Sequence, residues 1–205
     1  LLTFGFDRNH PKMSSVFFGL NADSGRAVWA SFDSRPDEWT SQFFREGARF
    51  QSLTELIPTS NAPFLQSKAP TVPLAPPELA LMDDQSQGDT RLLRLRVTSP
   101  RRAEIVSLYP DAKTEIVGAS INGKKIDLKG VARGQWGLQY FGLPEEGAEV
   151  ALEVKQSGPL TIRVTDRSYG LPQLPGLTVN PRPDYMVLPP LSPGEMTLVG
   201  KAFHF

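Results

Sequence analysis

The chain has 205 residues, of which 40% are hydrophobic and 21% are charged, so it is too apolar to remain disordered. Its 22 basic and 22 acidic side chains cancel, which argues against a general nucleic-acid binder, because such proteins carry a basic surface. Cysteine is missing, so a cysteine nucleophile is excluded, and only two histidines, His10 and His204, could serve as zinc ligands.

The N-terminal part of the chain predicts a β-hairpin. Residues 13–20 and 26–33 are rich in strand-forming side chains, and the segment between them, 21–25, is a cluster of turn-forming residues. The apolar run 1–6 is typical of an ordinary strand, and the alternative is the end of a membrane helix. Because the first residue is not methionine, we expect the chain to be part of a longer protein.

A short helix is predicted after the hairpin. Asp33 or Ser34 would cap it, since such side chains accept hydrogen bonds from free N–H groups of a first helical turn. Its apolar face would hold Trp39, Phe43 and Phe44.

Two proline-rich segments interrupt regular structure. Residues 58–77 contain six prolines and residues 170–193 contain seven, a density that excludes regular helices and central strands. Apolar residues within the first segment favour a packed crossover, and a free linker is the alternative. The segment 83–89 is predicted to be an exposed acidic loop.

The second half of the chain shows strand periodicity. In segment 91–98, Leu93, Leu95 and Val97 alternate with polar side chains, and Asn122-Gly123 is the strongest hairpin turn, because both residues tolerate positive φ. Further strands are predicted at 103–109, 114–121, 136–141, 148–154, 160–165 and 196–205. The last of these is expected to pair with a sheet edge.

Short strands at regular spacing predict a mainly β fold, an antiparallel jelly-roll-like β-sandwich with a short helix near the N-terminus and proline-rich crossovers. We expect residues 1–205 to form one compact domain. The alternative is two subdomains, a hairpin with a short helix at 1–57 and a main sandwich at 90–205, joined by 58–89.

Arginines are concentrated in the segment 91–102, which contains no acid. A guanidinium suits phosphate or carboxylate groups, and near a bilayer such a surface could meet anionic headgroups. The alternative is a solvated outer sheet face. The predicted basic patch consists of Arg94, Arg96, Arg101 and Arg102.

Three aromatic residues could form a sugar-stacking platform, namely Trp29, Trp136 and Tyr140. Trp136 and Tyr140 have the same parity on one predicted strand. Aromatic side chains of a sandwich more often belong to its core, so exposure on one flat face is the requirement of this hypothesis.

A charged segment follows the predicted strand 160–165. Asp166, Arg167 and Tyr169 stand where a loop is expected to begin, and loops often carry binding residues. These three residues could contact a partner domain. A structural salt bridge with a tyrosine beside it is the alternative.

Three stretches of the sequence resemble a known family. They are Leu20 to Ser31 continuing through Asp37 to Phe43, then Asp166-Arg167-Ser168-Tyr169-Gly170-Leu171-Pro172 with Leu174-Pro175-Gly176, and finally Met196 to Phe205. Together they are similar to the C-terminal region of membrane-bound M28-family zinc peptidases, of the endoplasmic reticulum metallopeptidase type, and of their bacterial relatives.

This resemblance implies a non-catalytic accessory domain. In such proteins a zinc exopeptidase domain precedes several membrane helices and a β-rich C-terminal domain, so the peptidase and membrane domains would be this chain's partners. Location on the extracytoplasmic side of the membrane, near its surface, is also implied. No residue here matches the two-zinc ligand motif, so neither a catalytic residue nor a cofactor is assigned to this chain, and zinc is expected in the peptidase domain. The alternatives are a carbohydrate-binding sandwich and a hydrolase that uses His10 or His204.

Overall fold

The computed structural model describes most of the chain, namely residues 5–44, 47–131, 136–155, 158–176, 178–189 and 194–205. Most of the apolar run 1–6 lies outside these residues, and so does the end of the second proline-rich segment. Where the structure is described, the strands are β1 (Lys12–Met13), β2 (Phe17–Asn21), β3 (Arg26–Ser31), β4 (Arg49–Ser52), β5 (Pro63–Lys68), β6 (Glu78–Gln87), β7 (Thr90–Thr98), β8 (Ile105–Pro110), β9 (Ile116–Ile121), β10 (Lys124–Lys125), β11 (Leu138–Phe141), β12 (Ala148–Val154), β13 (Thr161–Tyr169), β14 (Met186–Val187) and β15 (Met196–His204).

Most strands belong to two antiparallel sheets. The large sheet has the order β11-β8-β13-β15-β2-β3-β5-β4, and the small sheet has the order β10-β9-β12-β7-β6. Two pairings are parallel, β15 with β2 and the short pair β1 with β14. The predicted mainly β, largely antiparallel fold is therefore confirmed.

The small sheet packs face to face on one end of the large sheet, which makes this part a β-sandwich. Side chains alternate across a strand, so every second residue of each strand enters the shared core. The small sheet contributes Leu93, Leu95, Val97, Val150, Leu152 and Val154, and the large sheet contributes Val106, Leu108, Leu138, Ile162 and Val164.

The other end of the same face is covered by loop segments. The side chains of β2 and β3 that point to this face pack under the segment 39–44 and the second proline-rich segment. We call this cluster the lateral core, and it includes Phe18, Leu20, Ala27, Trp29, Trp39, Phe43, Leu174, Met186 and Val199.

The opposite face of the large sheet is covered by a single turn. Leu53 and Leu56 are buried there against Phe17, Phe64 and Leu198. This turn is also tied to β13, because the Thr165 hydroxyl donates a hydrogen bond of 2.7 Å to the Leu56 carbonyl. The large sheet is thus buried on both faces in its centre.

Both predicted hairpins are present. β2 and β3 pair antiparallel around the segment 21–26, and β9 and β10 are joined through Asn122 and Gly123, whose φ angles are 48° and 77°. Two consecutive positive φ values are what a two-residue hairpin turn requires, and asparagine and glycine tolerate them best.

Four sequence predictions are wrong in detail. The first proline-rich segment contains an interior strand, since β5 pairs with both β3 and β4, and the one proline of this strand, Pro63, is its first residue. The acidic segment 83–89 is mostly strand, because β6 extends to Gln87 as the edge of the small sheet, where polar side chains can face solvent while the backbone pairs with β7. The final strand is central, between β13 and β2, and its first five residues are buried because both faces of the sheet are covered there. The predicted short helix is only a 3₁₀ turn at Thr40–Gln42.

Candidate contact surface

Strand β13 continues to Tyr169, so the charged segment lies in a strand and the loop predicted from Asp166 is wrong. Pairing with β15 extends the strand to Tyr169, and side-chain alternation along it separates the three residues. Asp166 is opposite Val106 and Val199, and therefore points to the face that the small sheet and the loops cover. Arg167 and Tyr169 point to the opposite face. The structure thus does not bring Asp166, Arg167 and Tyr169 into one site.

Asp166 is fully buried and holds the loop between β7 and β8. Its carboxylate accepts hydrogen bonds from the Ser99 hydroxyl at 2.6 Å and from the Arg101 guanidinium at 2.5 Å. The Ser99 hydroxyl oxygen in turn accepts the Ala103 N–H at 3.0 Å. Burial raises the pKa of Asp166, and the charge of Arg101 and the Ser99 hydrogen bond oppose that rise. This is the structural salt bridge that the sequence left open as the alternative to a domain contact.

Arg167 and Tyr169 have different environments on their shared face. The Arg167 guanidinium donates a hydrogen bond of 3.0 Å to the Ser107 hydroxyl, and its Nε–H is buried without a partner. The Tyr169 side chain is 67% exposed at the end of β13. Tyr169 is therefore the residue of the predicted trio that another domain could reach.

A groove of about 410 Å³ begins immediately after Tyr169. Gly170 turns the chain, and its N–H donates to the Glu195 carbonyl at 2.7 Å. The segment 171–174 then runs along one wall, and 179–182 forms the other. Apolar side chains of both walls, such as Leu171, Leu174 and Val179, line the groove together with polar Gln173 and Asn180.

A charged pair and a tryptophan form the base of the groove. Arg182 donates two hydrogen bonds to one oxygen of Glu195, at 2.8 and 3.0 Å, and a third to the Ser14 carbonyl at 2.7 Å. Its guanidinium lies 4.1 Å from the Trp39 ring centre, a cation–π geometry. The indole N–H of Trp39 donates to the Asn180 carbonyl at 2.7 Å. These contacts hold the wall formed by 179–182 in place.

The segment that carries Trp39 is stabilised by an aspartate other than the predicted caps. The Asp37 carboxylate accepts hydrogen bonds from the N–H groups of Trp39 and Thr40, and the Thr40 hydroxyl accepts the Asp37 N–H. Burial alone would raise the pKa of Asp37, but hydrogen bonds from Ser14, Thr40 and Trp39 together hold it below its ordinary value. Asp33 instead accepts hydrogen bonds from Ser15.

We expect Asp37→Ala to lower the free energy of unfolding by about 1 kcal/mol at neutral pH, as the loss of a cap does. The lowered pKa means that this contribution is complete above 3.8, the unfolded value, and is lost as the pH falls through the folded value. Urea unfolding of both proteins at neutral and acidic pH measures it. A difference that grew on acidification would contradict the assignment.

The predicted aromatic platform is wrong. Trp29 is 3% exposed in the lateral core, and Trp136 is 9% exposed in the sandwich core, where the half-buried Tyr140 also packs. A sugar-stacking platform needs aromatic faces open to solvent on one surface, and these three residues are divided between two cores. Their apolar area contributes to stability instead.

The predicted basic patch is also divided. Arg94 donates hydrogen bonds to Glu149, and Arg96 lies 4.0 Å from the same carboxylate. Arg101 is committed to Asp166, and Arg102 is 3.2 Å from the exposed Glu145. The segment itself lacks acids, but neighbouring strands supply them, so the arginines form separate ion pairs rather than one basic surface.

Sequence reasoning missed Arg182 and Glu195. Arg182 lies in the second proline-rich segment and Glu195 lies just after it, and this part of the sequence shows no alternation of apolar and polar residues that would predict a strand. Their pairing across 13 positions is decided by the turn at Gly170 and by the start of β15. No local pattern could have found it.

The described residues contain no group of three His, Asp or Glu side chains placed to hold a metal ion. His10 lies 3.3 Å from Asp7, and the other histidine, His204, is 3.0 Å from the Thr161 hydroxyl. Within the same residues, no helix has the length and apolar character needed to cross a membrane.

Comparison with known proteins assigns the chain to no family. No protein-family model and no curated protein sequence matches the chain. Among solved structures the chain is similar to BslA, a bacterial hydrophobin, with 10% identity and a TM-score of 0.36, over 65% of this chain and 95% of that one. A likeness at this level carries no argument about function.

Proposed function

We propose that the chain is a non-catalytic accessory domain of a membrane-anchored M28-type zinc exopeptidase, and that it packs on the peptidase domain. One observation supports this most. The three sequence stretches that resemble that family are distant in the chain, yet they meet in the lateral core through Leu20, Trp39, Leu174 and Val199. A sequence resemblance spread over one packed unit is what a shared domain would produce.

The surface available for such packing is the end of β13 and the groove after it. Exposed Tyr169 and the apolar wall at 171–174 are continuous in sequence and belong to the second of the three stretches. Arg182 and Glu195 neutralise each other at the base, so a partner would not have to bury an unpaired charge there. Aromatic and apolar anchors of this kind dominate protein interfaces.

The proposed role places the chemistry elsewhere in the parent protein. Zinc would be bound by the peptidase domain, and the described residues of this chain do not form a set that fits it. Two acidic side chains near the proposed contact surface form structural ion pairs, Asp166 with Arg101 and Glu195 with Arg182. In the family architecture this domain and the peptidase domain share the extracytoplasmic side, and that location is part of the proposal.

The alternative of a carbohydrate-binding module has lost the residues on which it depended. With Trp29 and Trp136 buried, a sugar would have to stack on other side chains, such as the exposed Phe50 or Phe141. These stand on opposite edge strands of the large sheet, β4 and β11, and do not form one platform. We therefore favour the accessory domain.

The direct test has two parts. The purified chain should show no chelator-sensitive hydrolysis of aminoacyl or dipeptide substrates in the presence of zinc. The coding sequence upstream of Leu1 should encode membrane segments and, before them, the spaced His, Asp and Glu ligands of the peptidase. Metal-dependent turnover by the chain alone, or a free-standing gene, would each contradict the proposal.

The contact surface is tested in the full-length parent. Tyr169→Ala is expected to lower the thermal stability of the peptidase domain, because it removes an exposed anchor without disturbing the core. Phe50→Ala is the matched control, since it removes a comparably exposed aromatic ring at the far edge of the same sheet. Equal effects of both substitutions would argue against a contact at the end of β13.

A further inference from the structure

Three neighbouring strands of the large sheet place cationic side chains around one pocket. The pocket has a volume of about 340 Å³ and is lined by residues of β3, β4 and β5 and of the loops beside them. Its lining includes Arg26, Arg49 and Lys68, and among the described residues that line it none is acidic. Strands β15 and β2 lie between β13 and this pocket, and no residue of the pocket lining also lines the groove of the proposed contact surface.

The strand register explains why the cations converge. Lys68 is opposite Val28, and Arg49 is opposite Gln66. Residues that are opposite each other in a ladder share a face, and so do alternate residues of one strand. Arg26, Arg49 and Lys68 therefore project from the same face of three adjacent strands.

One of the three cations is held in position by buried polar groups. Gln66 is 2% exposed, and its amide N–H groups donate to the carbonyls of Gln51 and Ser52 at 2.7 and 3.2 Å. Its side-chain oxygen is thereby left facing Arg26, which donates to it at 3.3 Å and is also paired with Glu55. Arg26 is thus oriented before any ligand arrives.

The other two cations have no acidic partner within the part of the chain that the structure describes. Arg26 forms an ion pair with Glu55. Arg49 and Lys68 are exposed at the pocket, and neither forms an ion pair with a carboxylate of the described residues. With Arg26 paired to Glu55, the lining carries two positive charges that no carboxylate of the described residues neutralises. Like charges on adjacent strands are destabilising unless something neutralises them.

We infer that this pocket binds a phosphate monoester group, held by Arg49 and Lys68 with the oriented Arg26 beside them. A phosphate monoester carries close to two negative charges near neutral pH, which matches the uncompensated charge of the lining. Guanidinium and ammonium groups form short, charge-assisted hydrogen bonds with phosphate oxygens. The volume exceeds that of the phosphate group alone, so the pocket also has room for part of the ester.

Two sources could present this group, a soluble phosphate compound and a lipid headgroup, and the experiment separates them. Isothermal titration calorimetry with inorganic phosphate measures the free anion. Cosedimentation with phosphatidylcholine vesicles, with and without phosphatidic acid, measures the lipid-borne monoester. Saturable phosphate binding without vesicle binding supports a soluble ligand, and added binding to phosphatidic acid vesicles supports a lipid.

The decisive variant is Arg49→Gln/Lys68→Gln. Both side chains are exposed and their mutual repulsion is removed, so the thermal midpoint should not fall, while binding of phosphate or phosphatidic acid vesicles should weaken about tenfold or more. The matched control is Lys124→Gln/Lys125→Gln, which removes the same charge from exposed positions on the small sheet. Its affinity should stay within about twofold of the native chain, because distant exposed charges are screened.

Two results would overturn the inference. One is the lack of saturable binding of the native chain to either phosphate or phosphatidic acid vesicles. The other is an equal loss of affinity in the pocket variant and in the control variant, since that would show a response to net charge alone. Neither result bears on the accessory-domain proposal, because the lining of this pocket includes neither Tyr169 nor any residue of the groove that follows it.

Discussion

Asp166→Ala is expected to lower the free energy of unfolding by about 3–5 kcal/mol, among the largest effects of any single substitution in this chain. The carboxylate is fully buried and is the acceptor for both Ser99 and Arg101. Its removal leaves the Arg101 guanidinium, which is nearly buried, without its counter-charge. The loop between β7 and β8 would lose its attachment to the centre of the large sheet. Chemical denaturation of the two proteins measures the difference.

Two comparisons show whether the ion pair is the cause. Glu149→Ala breaks the exposed pair with Arg94 and should cost less than about 1 kcal/mol. Asp166→Leu combined with Arg101→Met should be less destabilising than Asp166→Ala, because no unpaired charge is then buried. If Asp166→Ala cost no more than Glu149→Ala, the buried pair would not be holding this loop.

Leu56→Ala is expected to lower the free energy of unfolding by about 2–5 kcal/mol. Leu56 is 1% exposed, and its two methyl groups fill the space above Gly19 and Gly200 on adjacent strands β2 and β15. A Cβ at Gly19 or Gly200 would come within 2.7 or 2.6 Å of these methyl groups. The packing of the turn on this face of the sheet therefore depends on Leu56 and on the absence of a Cβ atom at the two glycines.

A double-mutant cycle tests this fit. Gly200→Ala alone should be destabilising by about 1–3 kcal/mol through overpacking, and combining it with Leu56→Ala should cost less than the sum of the two single changes. Leu92→Ala on the outer face of the small sheet is the control, with an expected effect within about 0.5 kcal/mol. Strict additivity of the two changes would contradict direct contact between Leu56 and the glycine position.

Several elements of the fold were readable from short-range patterns. The alternation in 91–98 and 148–154 predicted two strands of the small sheet, and both supply the sandwich core. The Asn122-Gly123 dipeptide predicted a hairpin turn, and both residues have the positive φ angles of such a turn. These signals succeed because side-chain alternation and backbone φ preferences are properties of neighbouring residues.

Edge and central positions of strands were not readable in the same way. β6 has no apolar alternation because an edge strand can be held by backbone hydrogen bonds while its side chains face solvent. The final strand has the periodicity of any strand, and nothing local says that two partners flank it. Strand order depends on which distant segments pair, and that is a property of the whole chain.

The candidate surfaces show the same division. The sequence alone indicated a strand before Asp166, with a loop from that residue on, and a β fold with balanced charge. Only the tertiary structure decided which charged side chains meet. It buries Asp166 against Arg101 and pairs Arg182 with Glu195 at the base of the groove. It also places three cations, Arg26, Arg49 and Lys68, around one pocket. Alternation tells which residues share a face of one strand. Which faces are covered, and which charges are brought together, is set by long-range pairing and by the cost of burying a charge without a partner.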